Sequence, residues 1–572
     1  MQPPARRRLV RALVLAALLT GVGLRVASIH QTAFNWDELV LFDRVVRSAE
    51  DGRLRAGGHG GLTEMVLWRL VVGCRDEIAT GRAARGLWLG LTALYLAGIG
   101  TLLAQLLRGR PGRLHDAALG VALLGLLPVF LEWSIQVRTD HIALAAGVWG
   151  GVLLVASRRR HVLALAAGVC FGIGWCSSQK LAYVAVLMAL LELGRMTLAR
   201  EWRPRRDALR AGLVWGGLWG TALLWHAWLG AHFAALPGHA GTPGLAPQQV
   251  GRYLDIFDFY RNTIGYSQYA DLLPTLVPHL SLLVALLAAS AVGWKERALD
   301  GRLLLAWAVI ALGLAVGIFH AAAFAYFWMT LGLFAAVGLA TALGPIRERL
   351  SAWRPGWVLP AGLVLWGALA IPAAIQQASM LRDSQGVQQQ SLEFVRRNFA
   401  PEAAGFHPES GLFCGEPQKL GVWLSQGIYQ TFGMQRNEAA ERRLLAAFRR
   451  EPVHYLVESF RLRQFPPEVR RFWASNYQPY RASVFVAGRR LSGARGDARD
   501  FEVVVPGRYR WLPFRGQQAV RIDDHVVEPG GTLELGPATH TARFVEDVPG
   551  GVLVLALNDP PADAPRAFYK TY

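Results

Sequence analysis

Residues 85–113 read RGLWLGLTALYLAGIGTLLAQLLRGRPGR. An uncharged, mostly apolar run (86–107) lies between Arg85 and a cluster of Arg108, Arg110 and Arg113. A helix of that length rises about 33 Å, enough to cross the hydrocarbon of a bilayer. The pattern recurs at about Leu9–Ile29, 117–134, 141–156, 162–176, 180–194, 209–233, 271–293, 303–319, 321–343 and 357–375. About eleven transmembrane helices are therefore predicted. The fourth to sixth are short, and the fifth and sixth also read as a broken or re-entrant pair.

Composition agrees. Of 572 residues, 53% are hydrophobic and 18% charged, against about a quarter charged in soluble chains. That excludes a string of soluble domains. The net charge of +19 raises nucleic acid as a partner, but its distribution argues otherwise. Residues 376–572 hold 25 basic and 21 acidic side chains, and the preceding residues hold 35 and 20. The surplus sits in short clusters between apolar runs, which is a topology signal, so no nucleic-acid partner is expected. Arg6-Arg7-Arg8, Arg108/Arg110/Arg113, Arg158–Arg160, Arg195–Arg210, Lys295/Arg297/Arg302 and Arg347/Arg349/Arg354 all fall on one side when the spans alternate. The N-terminus is then cytoplasmic and the C-terminus external. Arg6-Arg7-Arg8 before an apolar run resembles a signal peptide, but no clear cleavage site follows and further spans do, so a retained anchor is expected. Cys74, Cys170, Cys176 and Cys414 form no paired metal-ligand motif and no disulfide framework.

The segment 30–85 becomes an external loop. Within it Leu62–Gly73 is apolar but carries Glu64 and Arg69, and is expected to lie as an amphipathic helix at the interface. A second external segment, 234–270, carries Tyr253, Phe257, Phe259, Tyr260, Tyr266 and Tyr269 among charges. It reads as an aromatic interfacial belt or as the lining of a substrate groove. The apolar runs end at Ile375. Residues 376–479 read as an α/β linker region, with helices at Ser391–Phe399 and Glu438–Arg450 and a strand at Val453–Val457. Residues 480–572 read as short strands at Ser483–Ala487, Phe501–Val505, Ala519–Ile522, Thr532–Leu535 and Val552–Leu557. Pro506-Gly507 and Pro529-Gly530-Gly531 separate them, the pattern of a small β-sandwich or barrel. The expected fold class is mainly α: a polytopic membrane helix bundle over residues 1–375, then a soluble α+β region ending in the small β domain.

Ionisable groups near a membrane core are costly and need a partner or a role. Asp37 and Glu38 follow the first span in Phe34-Asn35-Trp36-Asp37-Glu38. Successive side chains on a helix point about 100° apart, so the two acids need not share a job. One serves as general base and the other orients or faces a metal, or both form a solvated capping pair. Arg138, Asp140 and His141 stand at the junction of spans three and four, with Glu132 one or two turns deeper. A carboxylate beside a fixed cation stays ionised, which suits an acceptor-orienting group; an N-capping Asp is the plain alternative. Lys180 sits in Ser177-Ser178-Gln179-Lys180 between apolar runs, as a snorkelling anchor or a phosphate ligand. His320 and Tyr326 occupy the external turn between spans nine and ten, as interfacial residues or as donors beside an anionic leaving group. His59 lies in Gly57-Gly58-His59-Gly60-Gly61. One geometry uses them all: a carboxylate takes the proton of an acceptor hydroxyl while cations hold a departing phosphate.

With these features the sequence resembles the C-type integral-membrane glycosyltransferases, and among them the protein O-mannosyltransferase and lipid A aminoarabinose transferase group. The likeness covers about residues 9–375. It rests on Asp37-Glu38 after span one, an amphipathic segment before span two, Arg138-Thr139-Asp140 after span three, Lys180 in a broken hairpin, and the turn with Tyr326. It implies transfer of a sugar from a polyprenyl-phosphate-linked donor to a lipid, glycan or protein acceptor, with inversion. Asp37 would be the base or acceptor-contacting acid and Asp140 the second-loop acid. Arg138 and Lys180, with His320 and Tyr326, would contact donor phosphate, and His59 and Tyr260 would contact substrate. The first loop has Gly-His-Gly-Gly-Leu where close relatives often show Lys-Pro. The implied setting is a bacterial inner membrane with the C-terminal domain periplasmic, and the arginine-heavy composition points to bacteria too. The acids are compatible with Mg²⁺ or Mn²⁺, but no ligand spacing requires a metal and no other cofactor is expected. Two other classes stay open. One is a lipid or glycan transporter, for which no inverted repeat is evident. The other is a non-catalytic scaffold whose β domain binds polysaccharide.

Overall fold

Proline and capping residues decide where the helices of this chain begin and end. The computed structural model describes residues 4–51, 61–72, 76–108, 113–178, 180–198, 202–232, 384–400, 402–407, 437–459 and 461–558, with a few single positions between 329 and 432. The chain divides into two compact units, one of residues 1–30 and 44–382, the other of 31–43 and 383–572.

The first unit is helical. Its described elements are α1 (Pro4–Gln31), α2 (Trp36–Asp51), α3 (Leu62–Val71), α4 (Glu77–Leu106), α5 (Arg113–Gly125), α6 (Pro128–Trp133), α7 (Asp140–Ala156), α8 (Val162–Ser177), α9 (Leu181–Leu198) and α10 (Pro204–His232). The last residue of α1, Gln31, and the first half of α2 belong to the second unit. Two described stretches, Val14–Gln31 and Glu77–Leu106, are long and apolar enough to cross a membrane; α7, α8 and Leu181–Gly194 are apolar but shorter. Leu15 and Leu19 on α1, Leu165 and Ile173 on α8, and Leu223 and Leu224 on α10 stand exposed, apolar surface of the kind lipid covers. Apart from a few single positions, predicted spans eight to eleven lie outside the described residues.

The third predicted span is not one helix. α5 ends at Gly125 and α6 starts at Pro128, with Leu127 extended between them (φ −61, ψ 130). Proline lacks an N–H and disfavours helical geometry in the residue before it. Arg25 of α1 fills the break. Its Nη2 donates to Gly125 O at 2.8 Å, its Nη1 to Gly21 O at 2.8 Å and its Nε to Ser134 Oγ at 2.7 Å.

α4 packs on α5 and α7, α7 on α8 and α9, and α8 on α10. Tyr95, Leu102, Phe130, Val148, Phe171 and Leu187 lie in their shared core. A Cβ on Gly168 would lie 2.2 Å from Val214 O, and one on Gly172 2.5 Å from Thr221 Cβ. α8 thus meets α10 through a Gly-x-x-x-Gly stripe, a close approach that larger residues forbid. Beyond the end of α7, Glu192 accepts from Arg158 Nε (2.8 Å) and Arg210 Nη2 (3.0 Å), and Arg210 Nε donates to Ser157 Oγ (3.0 Å). Arginines read only as a topology signal therefore also bind α7, α9 and α10 together.

The second unit continues with α11 (Ser384–Asn398), β1 (Gly405–Phe406), α12 (Glu438–Arg450), β2 (Tyr455–Val457), α13 (Pro467–Asn476), β3 (Tyr477–Arg481), β4 (Val484–Gly493), β5 (Ala498–Glu502), β6 (Gly507–Pro513), β7 (Val520–Ile522), β8 (His525–Val527), β9 (Thr532–Leu535), β10 (Thr539–Phe544) and β11 (Val548–Leu555). One sheet runs β1-β2-β4-β11-β6-β9 with β3 also on β4; the other runs β5-β10-β7-β8. Gly493 of β4 lies against Phe544 of β10, where a Cβ would lie 2.3 Å from the ring, so the two sheets approach closely there. The larger sheet crosses residue 480, which makes one body of the segments read as 376–479 and 480–572. That body also takes 31–43, the first part of the loop read as 30–85.

Candidate active site

The loop between α6 and α7 is pinned through its carbonyls. Thr92 Oγ1 donates to Ser134 O (2.8 Å), Trp88 Nε1 to Arg138 O (2.8 Å) and Ser177 Oγ to Thr139 O (2.7 Å). His141 Nε2 lies 3.1 Å from Ser134 O. Ser177 also meets Thr63 Oγ1 at 3.0 Å, which leaves Thr63 as the donor of that bond. Side chains from α3, α4 and α8 thereby fix the backbone that carries Arg138 and Asp140. The Arg138 guanidinium is buried, its Cζ 5.3 Å from the Trp133 ring centroid.

Asp140 opens α7 but does not cap it. Thr139 holds the capping position and makes no side-chain cap bond. The Asp140 carboxylate instead accepts from Ser178 Oγ at Oδ1 and from Lys180 Nζ at Oδ2, both at 2.9 Å. Ser178 ends α8 with an extended backbone (φ −153, ψ 133), and Lys180 immediately precedes α9. The break between those helices is what turns both side chains toward α7. The Lys180 side chain is 19% exposed and that of Asp140 8%, so the ammonium is the more accessible member. The helix N-terminus adds favourable potential for the carboxylate. The sequence reading gave Asp140 to the acceptor and Lys180 to phosphate; the structure makes them one ion pair.

α3 covers most of Leu62–Gly73, the segment expected to form an amphipathic helix. It buries Thr63, Glu64 and Leu67, and Glu64 Oε1 lies 3.9 Å from Arg44 Nη1. Thr63 is tied to Ser177, so this face packs into the helical unit.

Asp37 and Glu38 have separate jobs. Glu38 N donates to Asn35 Oδ1 at 3.1 Å, and Asn35 N donates to Glu38 Oε2 at 3.0 Å. This reciprocal capping box starts α2, and it accounts for a carboxylate that is fully buried. Asp37 belongs to the same first turn and is only half-buried. Both acids fall in the second unit, while Arg138, Asp140 and Lys180 fall in the first. His59, Tyr260, His320 and Tyr326 lie outside the described residues.

Sequence reading passed over several residues that hold these groups. Arg25 left a signal, a cation inside an apolar run. Ser177 and Ser178 were in view, but their partners are 38 residues away. Gln388, which bonds the backbone just before Asp37, left no local signal. Among the described residues no group of three or more His, Cys, Asp or Glu could hold a metal ion, so the Mg²⁺ or Mn²⁺ expectation gains no site there.

No family model and no curated protein matches this sequence. Among solved structures, the apo oligosaccharyltransferase of Archaeoglobus fulgidus matches over 98% of this chain and 99% of its own, at 10% identity and TM-score 0.50. ArnT from Cupriavidus metallidurans in the apo state matches over 84% of this chain and 98% of its own, at 14% identity and TM-score 0.47. Its structure bound to undecaprenyl phosphate matches over 83% and 97%, at 13% identity and TM-score 0.47. At such identities the likeness is one of fold. The chain is similar in fold to an oligosaccharyltransferase, in line with its resemblance to the C-type membrane glycosyltransferases.

Proposed function

We propose that the chain is an inverting membrane glycosyltransferase that moves a sugar from a polyprenyl-phosphate donor to an acceptor hydroxyl on the periplasmic side of a bacterial inner membrane. The Lys180–Asp140 pair, whose acid follows a loop pinned through three carbonyls, is the observation that carries this reading. On the family resemblance, Arg138 and Lys180 are the cations assigned to the donor phosphate. Asp140, itself bonded by Ser178, holds the Lys180 ammonium in place; Glu38 holds the helix start that presents Asp37. On the family resemblance, His320 and Tyr326 are assigned to the phosphate and His59 and Tyr260 to the substrates.

The reaction is a single displacement. The acceptor oxygen bonds to the anomeric carbon as the bond from that carbon to the phosphate oxygen breaks. The bonding electron pair leaves with the phosphate, the acceptor proton passes to the Asp37 carboxylate, and the configuration inverts. Fixed cations stabilise the charge that grows on the leaving phosphate, so no acid is needed.

Full-length chain in proteoliposomes, given labelled polyprenyl-phosphate sugars and a membrane-glycan acceptor pool, tests this. Transfer is expected from the wild type and is lost with Asp37→Asn and Lys180→Met. Full activity of Asp37→Asn, or flux of the lipid-linked sugar across the vesicle without transfer, overturns it.

A further inference from the structure

Resting on Asp37 as the base, we propose that Gln388 is a positioning residue, whose side-chain amide fixes the backbone that delivers Asp37. Gln388 is buried on α11. Its amide engages Phe34 at both ends: Phe34 N donates to Oε1 at 2.8 Å, and Nε2 donates to Phe34 O at 3.2 Å. A neighbouring β-strand would give the same two bonds; here one side chain supplies them.

The rest of the helix face continues the pattern. Ala33 N donates to Ser384 Oγ at 2.8 Å, and Gln385 Nε2 donates to Thr32 O at 3.3 Å. Thr32, Ala33 and Phe34 are non-helical residues between α1 and α2, and their backbone groups find their partners on α11. Asn35 then caps α2, and Asp37 follows in its first turn. Holding Phe34 therefore sets the direction in which that turn leaves.

α11 is itself anchored. Ser391 Oγ lies 2.7 Å from Ser483 Oγ, and the Phe394 ring centroid lies 5.7 Å from that of Tyr480. Gln385 and Gln388 are both fully buried. A buried amide is costly unless paired, and a leucine would fill the space without that cost. Backbone recognition is what two buried glutamines at these positions supply.

Gln388→Glu tests the proposal with an isosteric change. It keeps an acceptor for Phe34 N–H and sets an oxygen against Phe34 O, where Nε2 had donated. Full-length wild type, Gln388→Glu and Asp37→Asn are compared by hydrogen exchange of the 31–38 peptide and by the transfer assay. Gln388→Glu is expected to lose exchange protection in that peptide. Its kcat falls by roughly tenfold or more, as misplacement of a reacting group does, while KM for the lipid donor stays within about twofold because donor contacts are untouched. Unchanged exchange in Gln388→Glu overturns the proposal whatever the activity. Faster exchange with unchanged kcat, beside an inactive Asp37→Asn, overturns the positioning role and spares the base. A fully active Asp37→Asn overturns the base, and the positioning role with it. If Gln388→Glu does not yield monodisperse protein, Ser384→Ala, which removes the bonds to Ala33 N–H and Gln31 O, takes its place with the same outcomes in smaller measure.

Discussion

Lys180 Nζ and Asp140 Oδ2 stand 2.9 Å apart, though the residues are 40 positions apart in sequence. The pair joins the break after α8 to the start of α7, so it is at once a fold contact and a charged surface.

Removing either partner separates those two roles. Asp140→Leu or Lys180→Met alone leaves a charge without its counter-ion, at a cost of about 2 kcal/mol, less than for a fully buried pair because the ammonium is part-exposed. Asp140→Leu combined with Lys180→Met recovers most of that stability in thermal unfolding of the detergent-solubilised chain. Sugar transfer stays lost in the double variant. Transfer restored along with stability would reduce the pair to a structural contact.

The capping box separates the two adjacent acids. Glu38→Gln keeps both hydrogen-bonding ends of the box, so transfer and stability stay close to wild type. Glu38→Ala removes one end and costs about 1 kcal/mol. Asp37→Asn lowers kcat by roughly 10²–10⁴-fold, as loss of a general base does. Thermal unfolding and transfer kinetics on the three variants check this.

Helix contact through glycine gives a paired test. Gly168→Ala drives a methyl into the Val214 carbonyl and is expected to cost about 1–3 kcal/mol, the range for overpacking. Gly216 has nothing within 4 Å of its added Cβ, so Gly216→Ala is neutral or stabilises by a few tenths of a kcal/mol to about 1. Unfolding midpoints of the two variants, measured side by side, decide it.

Two histidines of the second unit give opposite pH limbs. Burial pushes His407 down to about 4, below its unfolded value. As pH falls from about 6.5 toward 4, the unfolded chain takes a proton that the folded chain refuses. Stability drops by up to about 1.4 kcal/mol per pH unit, and His407→Gln flattens that limb. For His540, burial disfavours the cation, but the Asp523 carboxylate at 2.8 Å and the Gly536 carbonyl outweigh it and raise the pKa. Its contribution is complete below about pH 6.5 and is lost as pH rises through the raised value, a loss absent from His540→Gln. Unfolding midpoints between pH 4.5 and 8 test both.

The legible parts of the fold are those with local causes. Glu438–Arg450 came out of the sequence with its observed bounds because Asn437 caps it and its apolar residues keep helical spacing. Thr532–Leu535 was equally plain. Gly507–Pro513 was passed over, although Tyr509 and Trp511 are buried with period two, because Arg508 and Arg510 interrupt the apolar signal. Pro128 was visible but lost within an apolar run long enough to span. The site was legible only residue by residue. Arg138, Asp140 and Lys180 stood out as charges in costly places, yet the Asp140–Lys180 bond depends on how three helices pack, which no local pattern encodes. Glu38 was read with Asp37 because adjacency hides a capping box that closes three residues back.

Ser384, Gln385 and Gln388 bond to backbone about 350 positions earlier in the chain. During synthesis the early residues emerge long before their partners exist. The stretch ahead of Asp37 can settle only once α11 has left the ribosome. A nascent chain, or one truncated before residue 384, carries the acid without the element that aims it, so competence waits for α11 rather than arriving with the first helices.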